Sequence, residues 1–150
     1  MTITVEIVRL PHGADLPLPR YHSEVAAGLD LMAAVKADAP VTIHPGSRAP
    51  IPTGIAIALP RGTEGRIRPR SGLAIAQGIT VLNAPGTIDA DYRGELVVIL
   101  VNLGQAPFQV TRGMRIAQLV IAPVHQATIR EVEAVDGTSR GLAGFGSTGT

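Results

Sequence analysis

The chain has 150 residues, 45% hydrophobic and 17% charged, with a formal net charge of +1. That length fits one domain, which buries roughly 68–70% of the surface its unfolded chain exposes. The near-neutral balance argues against a nucleic-acid coat or a polybasic membrane binder, and the absence of Cys removes disulfides, thiolate metal sites and cysteine nucleophiles together.

Taken in chain order, the pattern predicts many short strands. Ile3, Val5 and Ile7 alternate with Thr4 and Glu6, as in a half-buried strand. Val41 and Ile43 precede a Pro45-Gly46-Ser47 turn. Ile55, Ile57 and Leu59 alternate with Ala56 and Ala58, and Pro60-Arg61-Gly62 closes that run. Ile67 lies in a short strand before Pro69. Residues 72–77, before Gly78, are the only helical stretch, barely two turns long. Segments 79–82, 95–103, 108–110, 115–122 and 128–132 follow as strands bounded by Gly, Pro or Asn. Strands at this spacing suggest an all-β barrel or jelly roll. Aromatics are 3% and Trp is absent, so the core is aliphatic.

The run 96–101 is apolar on both faces, which predicts cover on both sides. A second sheet of the same chain or another subunit would serve equally. The division expected is a folded domain over 1–136 and a Gly-rich tail over 137–150, too poor in apolar side chains to offset its ordering entropy. The start, MTITVEIVRL, carries Glu6 and no basic segment, and no apolar stretch approaches the roughly 20 residues that span a bilayer. The expected location is the cytoplasm. His12, His22, His44 and His125 lack metal-ligand spacing, so a zinc site is not expected.

Five stretches carry chemistry. Asp30 sits in the apolar run 27–31, where a buried carboxylate needs a partner or a metal; a turn after Gly28 is the plainer reading. Arg70, Ser71 and Gly72 open the small helix just after a strand, where free N–H groups suit a phosphate, although Ser71 also suits a helix cap. The third stretch, 83–94, is a long polar hairpin holding Asn83, Asp89, Asp91 and Tyr92. On an extended strand Asp89 and Asp91 share a face, and one could be a general base while the other is structural. Gln118 stands among apolar neighbours and needs hydrogen-bond partners. The tail holds Arg140, Phe145, Ser147 and Thr148 among glycines, a composition suited to closing over an anion; a plain frayed terminus is the simpler reading.

In this order, PRSGLA, GTIDADYRGEL, RIAQLV and RGLAGFGSTG, with Asp30 ahead of them, resemble the five motifs of the trimeric dUTPases. The resemblance runs from Ala27 to Gly149. It implies a jelly-roll type β-barrel assembled as a homotrimer, with each active site shared between subunits. It also implies hydrolysis of dUTP to dUMP and pyrophosphate with Mg²⁺ carried on the triphosphate, a reaction that keeps uracil out of DNA and supplies dUMP for thymidylate synthesis. By the same resemblance, Asp89 would activate the attacking water. Asn83, with hairpin groups at Thr87 and Ile88, would read uracil, and Tyr92 would pack under the deoxyribose. Arg70, Ser71, Gly72 and Gln118 would hold phosphates, and Asp30 would reach Mg²⁺ through a water. Arg140 would neutralise the γ-phosphate and Phe145 would stack on uracil. Gly146, Ser147 and Thr148 would close the site.

Two other readings fit the same fold: a dCTP deaminase and a non-catalytic nucleotide-binding trimer. The hairpin and the tail look like the hydrolase, and Asp89 and Arg140, which a non-catalytic protein could lose, are both present. No nucleic-acid or membrane partner is expected.

Overall fold

The structure is a computed structural model, and it describes residues 3–146. The strands are β1 (Glu6–Arg9), β2 (Leu29–Met32), β3 (Val41–Ile43), β4 (Arg48–Ala58) and β5 (Thr63–Arg68). After the helix α1 (Ser71–Gln77) come β6 (Ile79–Val81), β7 (Gly86–Ile88), β8 (Glu95–Asn102), β9 (Phe108–Val110) and β10 (Arg115–Pro123). One four-stranded sheet runs β1-β4-β8-β6, a second runs β2-β10-β5-β7, and β3 pairs with β9 in a ribbon.

The inner faces of both sheets and the ribbon contribute to one aliphatic core. Ile51, Leu96, Val98 and Leu100 come from the first sheet, Leu31, Ile67 and Leu119 from the second, and Ile43 and Val110 from the ribbon. Alternation along each strand creates these faces, because successive side chains point to opposite sides. The fold is mostly β with one short helix, as expected, but the strands do not close into a barrel among the described residues. Sheet-on-sheet packing already buries the apolar faces, so the hydrogen-bond ladder need not run round.

Three further expectations are corrected. Residues 128–132 form no strand and are exposed, because no partner strand lies beside them among the described residues. The segment 83–94 is more than a hairpin connection. β6 and β8 do pair, Val81 opposite Leu100, but their connection crosses over so that β7 pairs with β5 in the other sheet. Asp89 and Asp91 do not share an extended strand, since the Tyr92 N–H donates to Asp89 O at 3.1 Å, closing a tight turn. On β8, Leu96, Val98 and Leu100 are buried while Val97 is 42% exposed, so this chain covers only one face of that strand fully.

At two places the backbone approaches another segment too closely for any side chain. A Cβ on Gly78 would lie 2.5 Å from Gly104 N, and Gly78 itself closes α1 with φ of 68°. A Cβ on Gly13 would lie 2.5 Å from Gly54 O, so the loop after β1 rests directly on β4.

Candidate active site

The second sheet sets the site. Asp30 on β2 stands opposite Gln118 on β10, which stands opposite Arg68 on β5. Directly opposed residues of antiparallel strands point to one side, so these three polar groups share the outer face. Gly28 lies against Gln118, where a Cβ would come within 2.8 Å of its Oε1.

Asp30 is 8% exposed and its carboxylate faces three nitrogen groups. Arg115 Nη1 donates to Oδ2 at 3.0 Å, His22 Nε2 lies 3.4 Å from Oδ2, and Arg70 Nε lies 3.7 Å from Oδ1. Arg70 in turn donates from Nη1 to the Arg115 carbonyl at 3.1 Å. Arg70 occupies the cap position of α1 and Ser71 is the first helical residue; no side chain caps the helix, so Ser71 is not its cap. Ser71 and Gly72 are exposed, and a Cβ at Gly72 would meet open space.

The hairpin stands elsewhere on the same sheet. β2 and β7 are its opposite edges, three strand spacings apart, which is roughly 14 Å. Asn83 is exposed and sits over Gly86, where a Cβ would lie 3.1 Å from its Nδ2. Thr87 and Ile88 pair with Arg66 and Gly65 on β5. Asp89 is exposed and, with Thr87, Asp91 and Arg93, lines a cleft of about 870 Å³. No cation lies within ion-pair distance of Asp89 among the described residues. Tyr92 is 43% exposed; its hydroxyl donates to Glu95 O at 2.9 Å and its ring lies across Gly94, where any Cβ would collide with it.

The tail leaves the body after Val124, whose N–H donates to Gly62 O at 2.9 Å. Among the described residues Arg140 bonds only within the tail, from Nε to Ala143 O at 3.0 Å. Phe145 is fully exposed, and the φ of Gly146 is 84°. Ser147 and Thr148 lie outside the described residues.

One chain therefore gathers Asp30, Arg70 and Gln118, with Ser71 and Gly72 next to Arg70, and holds Asn83, Thr87, Ile88, Asp89 and Tyr92 apart from them. Among the described residues Arg140 makes no hydrogen bond to either group, and Phe145 is fully exposed. Two members of the Asp30 cluster, Arg115 and His22, have no role in the sequence reading. Arg115 is visible there only as the first residue of RIAQLV, and His22 carries no signal at all.

Among the described residues no group of three His, Cys, Asp or Glu is placed to hold a metal ion. Asp30 is a single carboxylate with cationic neighbours. That donor set does not suit a resident ion. It does suit a magnesium ion held by phosphate oxygens and reached from the protein through water.

The dUTPase family pattern matches residues 14–149. A deoxyuridine 5'-triphosphate nucleotidohydrolase of Rhizobium meliloti is 59% identical over 150 residues, covering 100% of this chain and 94% of the relative. The enzyme of that name from Methylocella silvestris is 57% identical, covering 98% of this chain and 92% of the relative. Among solved structures, a mutant dUTPase of Staphylococcus bacteriophage 80alpha with dUpNHpp superposes with a TM-score of 0.87 at 25% identity, covering 99% of this chain and 100% of that one. A mutant phage phi11 dUTPase, described with a structural Mg(II) ion, shares the fold at 23% identity and a TM-score of 0.78, covering 88% of this chain and 98% of that one. With the motifs, the fold and a family pattern that spans nearly the whole chain, this protein belongs to the dUTPase family.

Proposed function

We infer that the protein is a dUTP diphosphatase, hydrolysing dUTP to dUMP and pyrophosphate. The observation that carries this reading is the cationic cluster of Arg70 and Arg115 beside Gln118, in a chain matched by the dUTPase family over 14–149.

Arg70, Ser71, Gly72 and Gln118 bind the triphosphate. Arg is suited to that task because its planar fork meets two phosphate oxygens at once. A magnesium ion carried on the triphosphate would supply neutralisation of the phosphate charge that otherwise repels the nucleophile, and Asp30 would face it through a water. Asn83 and backbone groups at Thr87 and Ile88 read the uracil edge. A 5-methyl is rejected there by clash, and cytosine by its reversed donor and acceptor pattern. Tyr92 packs under the deoxyribose and leaves no room for a 2′-hydroxyl.

Asp89 takes a proton from water as its oxygen attacks the α-phosphorus. The bond from that phosphorus to the bridging oxygen breaks, and pyrophosphate leaves. Arg140 neutralises charge on the γ-phosphate, and Phe145 stacks on the base. Gly146, Ser147 and Thr148 close the site, which excludes water and adds contacts.

The working site is shared between subunits of a homotrimer. Three observations support that reading: the edge-to-edge separation of Asp89 from Asp30, a tail whose described residues bond only among themselves, and the incompletely covered outer face of β8. Residues 1–136 act as the folded domain and 137–150 as its closing tail. The test is release of pyrophosphate from dUTP, dTTP, dCTP and UTP, with and without Mg²⁺. Only dUTP with Mg²⁺ should react quickly. Ammonia from dCTP, or equal rates on all four, would overturn the reading.

A further inference from the structure

We propose that Arg115 is a positioning residue: it occupies the Asp30 carboxylate so that the Arg70 guanidinium stays available to the triphosphate. The proposal deepens the phosphate-binding reading above and rests on it.

Asp30 is the one carboxylate in a group that otherwise holds Arg70, Arg115 and His22. Its side chain is 10% exposed, so its charge is poorly screened and attracts the nearest cation strongly. The contact is not shared evenly. Arg115 makes the hydrogen bond, at 3.0 Å, while Arg70 stands off at 3.7 Å. Arg70 is held back by a different bond, from its Nη1 to the Arg115 carbonyl at 3.1 Å. Arg115 therefore acts twice, with its guanidinium on Asp30 and its backbone on Arg70. A bulge in the pairing of β10 with β2, between Arg115 and Ala117, places both groups at this point.

The arrangement matters because a guanidinium already bonded to a carboxylate is a weaker phosphate ligand. The carboxylate cancels much of its charge and occupies donors of its fork. With Arg115 in place, the Arg70 fork spends one donor on a carbonyl, which cancels no charge. Removing the Arg115 side chain leaves Oδ2 to His22 alone, and Arg70 has less than 1 Å to travel to bond Oδ1. Substrate must then break that pair before it binds.

The test is a double-mutant cycle on the full-length protein with Arg115→Gln and Asp30→Asn. Binding of dUpNHpp is measured by calorimetry in EDTA, so that no contact of Asp30 with Mg²⁺ enters. KM and kcat for dUTP are measured alongside. Arg115→Gln alone should weaken binding about tenfold and raise KM with little change in kcat, as for lost ground-state binding. In the Asp30→Asn background the same substitution should change binding less than twofold, because no carboxylate remains to capture Arg70. A merely structural role would give equal losses in both backgrounds, and that result overturns the proposal, as does no loss in either. If Arg115→Gln loses the wild-type oligomer by light scattering, Arg115→Met, which keeps the aliphatic stem and also leaves the Asp30 carboxylate without its guanidinium, takes its place in the cycle with the same comparison. Failure of the wild-type protein to turn over dUTP would instead refute the functional reading itself.

Discussion

Asn102 offers the sharpest test of how the fold supports the site. It is fully buried at the end of β8, with 0% exposure. Its Nδ2 donates to Ile43 O and to Ala106 O, each at 2.8 Å, and its Oδ1 accepts from the Gly104 N–H at 2.9 Å. Asn102→Ala removes all three bonds. Ile43 O is buried and cannot find water, so stranding it costs about 1–3 kcal/mol. The other two partners are only part-buried, and each lost bond there costs about 0.5–1.5 kcal/mol. The total is about 2–6 kcal/mol, with a midpoint of about 4. For a chain of this size each kcal/mol lowers Tm by about 2–4 °C, so the midpoint corresponds to a fall of roughly 8–16 °C. The effect reaches the site through Leu103, whose N–H donates to Gly78 O at 2.8 Å just beyond α1. The assay is thermal unfolding by circular dichroism at one fixed protein concentration, because an oligomer's Tm depends on concentration. Asn102→Asp should be no better, since it turns an acceptor toward two carbonyls. A Tm within 2 °C of wild type for Asn102→Ala would refute the reasoning.

Asp89→Asn should keep the fold and bind dUpNHpp while slowing single turnover of dUTP about 10²–10⁴-fold, the usual cost of losing a general base; near-wild-type turnover would remove Asp89 from that role. A chain ending at Asp136 should stay folded with the same mass by light scattering and lose turnover by orders of magnitude, whereas full activity would make the tail dispensable. Acid should act on Asp15, whose carboxyl Arg112 holds below the ordinary value of 3.8 by hydrogen bonding first, with its own backbone also contributing. A group lowered in the folded state contributes stability above its unfolded value and loses it as pH falls through the folded one. The stability difference between wild type and Asp15→Asn, read from urea unfolding, should therefore be constant above pH 3.8 and shrink below it. A difference that grows in acid would contradict the sign.

Much of the local structure is legible in the sequence, because it depends on residues close together in the chain. The alternation at 55–59 predicts part of β4, and β8 and β10 follow from runs bounded by Gly, Pro or Asn. The short helix is read from 72–77, and Gly78 closes it in the left-handed conformation that glycine adopts without a steric cost. Composition also states correctly that the core is aliphatic. The five stretches singled out for chemistry are legible too, since each is a contiguous run of unusual residue types.

Pairing across the chain is decided elsewhere. Residues 128–132 have a strand-like pattern but no partner among the described residues, and a strand exists only when its N–H and C=O groups are paired. β7 reads as part of a hairpin because nothing local says that it crosses to β5 in the other sheet. The nitrogen groups facing Asp30 come from His22, Arg70 and Arg115, and the last is 85 positions away. Asn102 has no sequence signal as a core residue, yet its three partners lie on β8's own exit loop and on β3, 59 positions earlier. Sequence by itself determined which side chains are apolar, which are charged and where the chain must turn. Only the tertiary structure decided which of them meet, because hydrogen bonds and ion pairs form between groups within a few ångströms, and the topology of the sheets sets those distances.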